Sequence, residues 1–125
     1  MSISLAYNPQ NKILYVTVVG PFSFDEYVSS IQKILHTTEY PPNVSALWDL
    51  RKADLETADQ DFLNKIIQTR KQHPERVNAN TAIIAATDLE YGVSRMFETL
   101  AEIDTFSQKL KVFRDYAEGE KWLLA

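Results

Sequence analysis

Apolar residues follow two alternating rhythms along this chain. Val44-Ser45-Ala46-Leu47-Trp48-Asp49-Leu50-Arg51 is a short apolar run that ends in charge and is followed closely by an amphipathic pattern, the form of a buried strand entering a βα turn. Thr81-Ala82-Ile83-Ile84-Ala85-Ala86-Thr87-Asp88 repeats the form, and Leu110-Lys111-Val112-Phe113-Arg114-Asp115 gives a shorter copy. Upstream, Ile3 to Tyr7 alternates as a half-exposed edge strand, Asn8-Pro9-Gln10-Asn11 carries turn chemistry, and Ile13 to Val19 is a β-branched and aromatic strand. These two predict a hairpin.

Between the strands the apolar positions recur three and four apart, as on one face of a helix. The predicted faces are Phe24, Tyr27, Val28, Ile31, Ile34 and Leu35 in the first helix, and Ala58, Phe62, Leu63, Ile66 and Ile67 in the second. Val93, Met96, Phe97, Leu100 and Ala101 form the third, while Trp122 and Leu123 belong to a short last helix. Ser23-Phe24-Asp25-Glu26 and Thr57-Ala58-Asp59-Gln60 have capping-box form, Asp88 and Asp115 are expected N-caps, and Pro41-Pro42 and His73-Pro74 act as stops.

The order is ββαβαβαβα: an α/β fold with a mixed, mostly parallel sheet, right-handed crossovers and an opening antiparallel hairpin. Connections are short, and no linker, repeat or biased segment interrupts residues 1–125, which predicts a single domain. The second strand is apolar on both faces, Ile13, Tyr15, Thr17 and Val19 alternating with Leu14, Val16 and Val18. Either helices cover both faces, or one face awaits a second subunit, a partner helix or an apolar ligand.

Composition narrows the function classes. With 45% hydrophobic and 24% charged residues the chain has the material for a packed core. A net charge of −4 gives no electrostatic reason to bind nucleic acid or anionic lipid. Without cysteine, disulfides and thiolate chemistry are excluded. Met1-Ser2-Ile3-Ser4-Leu5 lacks the form of an export signal and no apolar run reaches membrane-span length, so a cytoplasmic location is expected.

The whole chain resembles a STAS-type domain, of the bacterial anti-sigma-factor antagonist superfamily, in its branch of small stand-alone proteins that are also similar to CRAL-TRIO lipid-binding domains. The resemblance is carried by Val16-Thr17-Val18-Val19-Gly20, by Leu47-Trp48-Asp49-Leu50-Arg51, and by Thr81-Ala82-Ile83-Ile84-Ala85 followed by Asp88-Leu89-Glu90-Tyr91-Gly92-Val93-Ser94-Arg95-Met96-Phe97. Val112-Phe113-Arg114-Asp115 before Glu120-Lys121-Trp122-Leu123 completes it. It implies a cytoplasmic regulatory or binding module, often dimeric, wound as a βα superhelix, and it implies no reaction. One departure matters. The phosphorylated antagonists carry a serine, usually within Asp-Ser-Ser-Gly, at the start of the helix after the central strand. Here Lys52 to Asp59 contains neither serine nor glycine, and Thr57 is the sole hydroxyl. Its role as an N-cap competes with phosphoacceptance, and Asp54, Glu56 and Asp59 would repel a phosphate.

Ligands of open α/β sheets bind outside the carboxyl ends of the strands. That rim should gather Gly20-Pro21, Asp49 to Asp54, Thr87 to Tyr91 and Arg114-Asp115. Its candidate ligand or partner residues are Asp49, Arg51, Asp54, Asp88, Tyr91 and Arg95, and an apolar pocket is expected to use Trp48, Met96 and Phe97 beside Tyr91. Each has a structural alternative: Asp49 pairing with a neighbouring Arg or backbone, Asp88 capping a helix, Tyr91 packing on the Arg95 stem. His36 and His73 stand apart, without metal-ligand spacing. Arg70-Lys71-Gln72-His73 with Arg76 suggests a solvated basic helix end. No phosphate loop, nucleophile elbow or zinc-protease pair is present, so no catalytic set, metal or cofactor is expected. Two functions follow: an interaction module acting on a protein partner or as a homodimer, and a carrier or sensor of a small apolar or lipid-like ligand. An enzyme is a distant third.

Overall fold

A computed structural model describes residues 2–76, 79–103 and 109–125. Ser2–Asn8 (β1) and Ile13–Pro21 (β2) pair antiparallel as a hairpin. Its turn closes locally, with the Asn8 side chain accepting the Gln10 N–H at 2.9 Å and the Asn8 carbonyl accepting the Lys12 N–H at 2.8 Å. The chain then alternates through α1 (Phe24–Leu35), β3 (Ser45–Asp54), α2 (Gln60–Lys71), a 3-10 turn (Pro74–Arg76), β4 (Asn80–Ile84), α3 (Asp88–Ile103), β5 (Lys109–Phe113) and α4 (Tyr116–Leu124). The sheet order is β1-β2-β3-β4-β5, and every pair after the hairpin is parallel.

Strand alternation divides the side chains between two cores. Leu14, Val16, Val18, Ala46, Trp48, Leu50, Ile83 and Val112 face α1, α2 and α3, which supply Tyr27, Ile31, Ile34, Leu63, Ile66, Ile67, Phe97 and Ala101. Ile13, Leu47, Ala82 and Ile84 face the other way and are covered by Tyr116, Trp122 and Leu123 of α4. Of the two alternatives left open for the doubly apolar β2, helices on both faces is the one observed: α1 to α3 lie on one side of the sheet and α4 on the other. Gly119 makes this close approach feasible, because its missing side chain leaves room for Ile84 and Phe113 directly beneath the helix. Cover by α4 is local. Tyr15 and Thr17 of β2 are only partly buried and Val19 is exposed.

Several boundaries differ from the sequence expectation for identifiable reasons. β2 continues through Gly20-Pro21, where Gly20 adopts φ 80° and pairs with Ala53, and β3 extends to Asp54 past an irregularity in its register with β2. The cap of α2 is Asp59, whose carboxylate accepts the Phe62 N–H at 2.9 Å, rather than Thr57. Asp88 is likewise inside α3. The cap there is Thr87, whose hydroxyl accepts the Glu90 N–H at 3.2 Å, while the Glu90 carboxylate accepts the Ala86 N–H at 3.2 Å. The largest correction concerns the basic helix end. Arg70 and Arg76 are both buried, because Arg70 continues the Leu63, Ile66, Ile67 spacing and so lies on the buried stripe of its helix.

Candidate functional site

The site is a cavity of about 50 Å³ between the sheet and its three-helix face. Leu50, Leu55 and Phe62 line it on one side, Ile83, Val93 and Phe97 on another, and Phe22 lies just beyond the carboxyl end of β2. The lining runs from Thr81 and Ile83 of β4 and Trp48 and Leu50 of β3 to Leu55 and Phe22 past the strand ends. The aromatic wall is continuous: Phe22 stacks on Trp48 at 6.3 Å and meets Phe62 edge-on at 5.6 Å, and Tyr27 lies 5.8 Å from Trp48.

Three polar groups interrupt that wall. The Trp48 indole N–H and the Ser94 hydroxyl have no hydrogen-bond partner among the described residues, although their residues are only 4% and 3% exposed, while the Tyr27 hydroxyl has the Arg70 guanidinium as its neighbour. Native interiors pair nearly all such groups, so the first two require an account. A charged residue joins them. Arg70 lines the cavity and donates from Nη2 toward the Thr81 hydroxyl at 3.4 Å.

Arg76 lies behind this cluster and does not line the cavity. At 3% exposure it donates from Nη1 to the Pro42 carbonyl at 3.0 Å and the Val44 carbonyl at 2.5 Å, tying the loop before β3 to the turn after α2. Burial and the neighbouring Arg70 charge lower its pKa to about 10, and no carboxylate contributes to its surroundings among the described residues. Burial raises the Tyr27 pKa against the opposing pull of both guanidiniums, which keeps the phenol protonated as a donor.

The residues singled out in the sequence fall into separate places. Trp48 and Phe97 line the cavity; Met96 is 46% exposed and Tyr91 is elsewhere, correcting their place in the expected pocket. The Tyr91 ring is covered by the Arg114 guanidinium at 4.3 Å, not by Arg95, which pairs with Glu98 one turn along α3. Arg114 also bonds Asp88 at 2.9 Å. Asp49 accepts from Arg51 Nε at 2.9 Å and Nη2 at 2.8 Å on the α4 face, where Arg51 also lies 4.8 Å above the Tyr116 ring. Burial opposes ionisation of Asp49, but the Arg51 hydrogen bonds outweigh it and lower the pKa. Asp54 accepts the Glu56 N–H at 3.0 Å in the loop before α2, and Thr57 is exposed in the same loop. The rim residues Asp49, Arg51, Asp88 and Arg95 therefore form separate pairs instead of one cleft. Among the described residues no cluster of His, Asp and Glu could hold a metal ion, and no helix is long and apolar enough to cross a membrane.

Sequence reasoning missed Tyr27, Ser94 and Arg70 as residues lining the cavity, and the burial of Arg76 behind them. The signal was register: Ser94 shares the buried stripe of Phe97 and Ala101, as Arg70 shares that of Leu63 and Ile66. A polar residue at a buried helical position must find a partner or a purpose.

The backbone as a whole matches that of an uncharacterised protein of the DUF3478 family from Shewanella loihica, described as having a SpoIIAA-like fold. The match has a TM-score of 0.62 at 17% identity and covers 98% of this chain and 92% of that one. The fold is SpoIIAA-like. No protein-family model matches the sequence, and no curated protein is similar to it. The SpoIIAA-like architecture agrees with the STAS-like α/β reading of the sequence, down to the opening hairpin and the mostly parallel sheet. Within that SpoIIAA-like frame, the cavity lies between β3 and β4 on one side and α1 to α3 on the other.

Proposed function

We propose that this chain is a non-catalytic binding module that holds a small organic ligand in the cavity between its sheet and α1 to α3. The observation that carries the reading is the largely apolar cavity itself, walled by Phe22, Trp48, Leu50, Phe62 and Phe97, with two of its lining residues, Trp48 and Ser94, carrying buried polar atoms that have no hydrogen-bond partner among the described residues. Leaving such a group unsatisfied costs about 1–3 kcal/mol. A bound molecule that accepts from them recovers that free energy. Size selects the class: about 50 Å³ is far below the roughly 300–1,000 Å³ of pockets for drug-sized ligands. A compact molecule of few atoms suits it better than a long-chain lipid.

Ala58 lines the cavity and is partly buried, so Ala58→Leu should occupy the space and abolish binding while leaving the fold intact. Small-molecule binding can be followed by thermal shift and by the Trp48 indole resonance, with the wild-type and filled proteins compared against the same fragment panel. Responses lost in Ala58→Leu support the reading. Responses of equal size in both proteins place binding elsewhere and reject it.

A second reading, an interaction module, draws on α3. Leu89 and Met96 are 51% and 46% exposed and stand two helical turns apart, an apolar stripe pointing away from the core. If this stripe joins two copies of the chain, light scattering should find a dimer that becomes a monomer in Leu89→Glu/Met96→Glu. A wild-type monomer at high concentration rejects self-association through this surface.

A further inference from the structure

We infer that β1 is a self-association edge: a second copy of this chain pairs with it antiparallel about a two-fold axis at Leu5, joining two sheets into one. The inference is independent of the cavity and of the α3 stripe. Strands β1 and β5 are the edges of the sheet, and they are built differently. Lys109 and Lys111 of β5 are both exposed, a device by which edge strands repel another copy of themselves. β1 has no such guard. Ser2–Asn8 holds no charged residue, proline or glycine, it pairs with β2 without a bulge, and Lys12 is the one charged side chain before Asp25. In a chain of net charge −4, this hairpin is where two copies meet without like charges face to face.

Backbone direction fixes the register. The Asn8 carbonyl turns toward β2, where it accepts the Lys12 N–H at 2.8 Å, so alternation along the strand leaves the N–H and C=O groups of Ile3, Leu5 and Tyr7 directed at the open edge. Among the described residues nothing outside the hairpin bonds them. An antiparallel copy centred on Leu5 meets this array with its own: Leu5 exchanges both bonds with Leu5 of the second copy, and Ile3 does so with Tyr7. The side chains match in the same register. Ile3, Leu5 and Tyr7 are partly buried against the helix-side core, and their uncovered parts meet one another, Leu5 on Leu5 and Ile3 on Tyr7. On the other face the exposed Ser4 lies opposite the exposed Ala6, small residues that leave the joined backbones unobstructed. A second copy is the occupant that this symmetry specifies, because it brings a neutral strand whose small and large positions complement these.

Light scattering of the wild type should give twice the mass of one chain. Ser4→Lys/Ala6→Lys sets like charges directly opposite each other across the axis at two exposed positions, so it should be a monomer with the circular dichroism of the parent. Ser4→Glu/Ala6→Glu should be a monomer as well, and an equimolar mixture of the two variants should regain the dimer, since lysines then face glutamates. The amides of Ile3, Leu5 and Tyr7 should exchange about tenfold more slowly in the wild type than in either variant alone, the protection expected of one net hydrogen bond. A wild-type monomer at high concentration overturns the inference. So does a dimer that survives in both β1 variants; if it is lost in Leu89→Glu/Met96→Glu, the α3 stripe is the interface instead. Monomeric variants that do not combine on mixing show that Ser4 and Ala6 are not opposite one another and overturn the register. Should the β1 variants fail to fold, the wild type decides alone: protected Ile3, Leu5 and Tyr7 amides in a dimer support pairing at this edge, and unprotected ones overturn it.

Discussion

Gly119→Leu should cost about 3 kcal/mol of unfolding free energy, measured as a drop in the urea midpoint at unchanged slope. A β-carbon at this position would lie 2.5 Å from Ile84 Cδ1 and 3.3 Å from Phe113 Cδ2, and Ile84 is fully buried with no open space to receive it. The helix must therefore lift, uncovering Ile13, Leu47 and Ile84 together. Gly119→Ala brings the same β-carbon contact and should also destabilise, but by less, because it adds no atoms beyond that carbon and gains about 1 kcal/mol of helix propensity. Displacement of α4 has its own optical signature at Tyr15, whose hydroxyl donates to Glu120 at 2.5 Å. Burial, followed by that hydrogen bond, raises the Tyr15 pKa from 10.0 to about 12. Because the folded value lies above the unfolded one, this group's contribution to stability is complete below pH 10 and is lost as pH rises toward 12. In Gly119→Leu the Tyr15 ionisation should move back toward pH 10 in an ultraviolet titration. A variant as stable as the parent, with an unchanged titration, would mean that α4 does not seat as described.

The periodicities of the sequence made most of this architecture legible, and its failures have physical causes. Apolar runs such as Leu47 with Trp48, or Ile83 with Ile84, show no alternation because α4 covers one side of the central strands while α1 to α3 cover the other. The same symmetry hid which side α4 would take, since a run buried on both faces carries no orientation. Capping errors were small. Thr87 with Glu90 has the spacing of a capping box, and Asp59 competes with Thr57 through a shorter, stronger acceptor.

The cavity was legible only in part. Trp48 and Phe97 line it, but Met96 sits on the outer face of α3, and the rim acids and arginines pair with one another instead of sharing a cleft. What composition concealed was the inward direction of Arg70 and Ser94. A charged residue near a helix end is ordinarily solvated, and only its place in the three-and-four spacing shows otherwise. Arg76 gave no such signal, because its burial depends on the loop from Pro41 to Val44 folding over it, and that contact is long-range.

Trp48 should separate stability from binding through two substitutions of very different cost. Trp48→Ala removes the side chain on which Phe22 and Tyr27 pack at 6.3 and 5.8 Å, and should destabilise the protein by about 4 kcal/mol, within the range for large aromatic truncations in a core. Trp48→Phe keeps most of that packing and deletes a buried N–H that has no partner among the described residues. The lost contact area is then offset by relief of a desolvation cost of about 1–3 kcal/mol, so the phenylalanine variant should fall within about 1 kcal/mol of the parent. Its ligand response should nonetheless be weakened, because the donor that gave the indole its purpose is gone. Such a combination, near-neutral stability with impaired binding, is what a side chain kept for recognition rather than for folding produces. If Trp48→Phe instead unfolds as readily as Trp48→Ala, the indole N–H is already satisfied in the unliganded protein and the cavity has no unmet donor to offer.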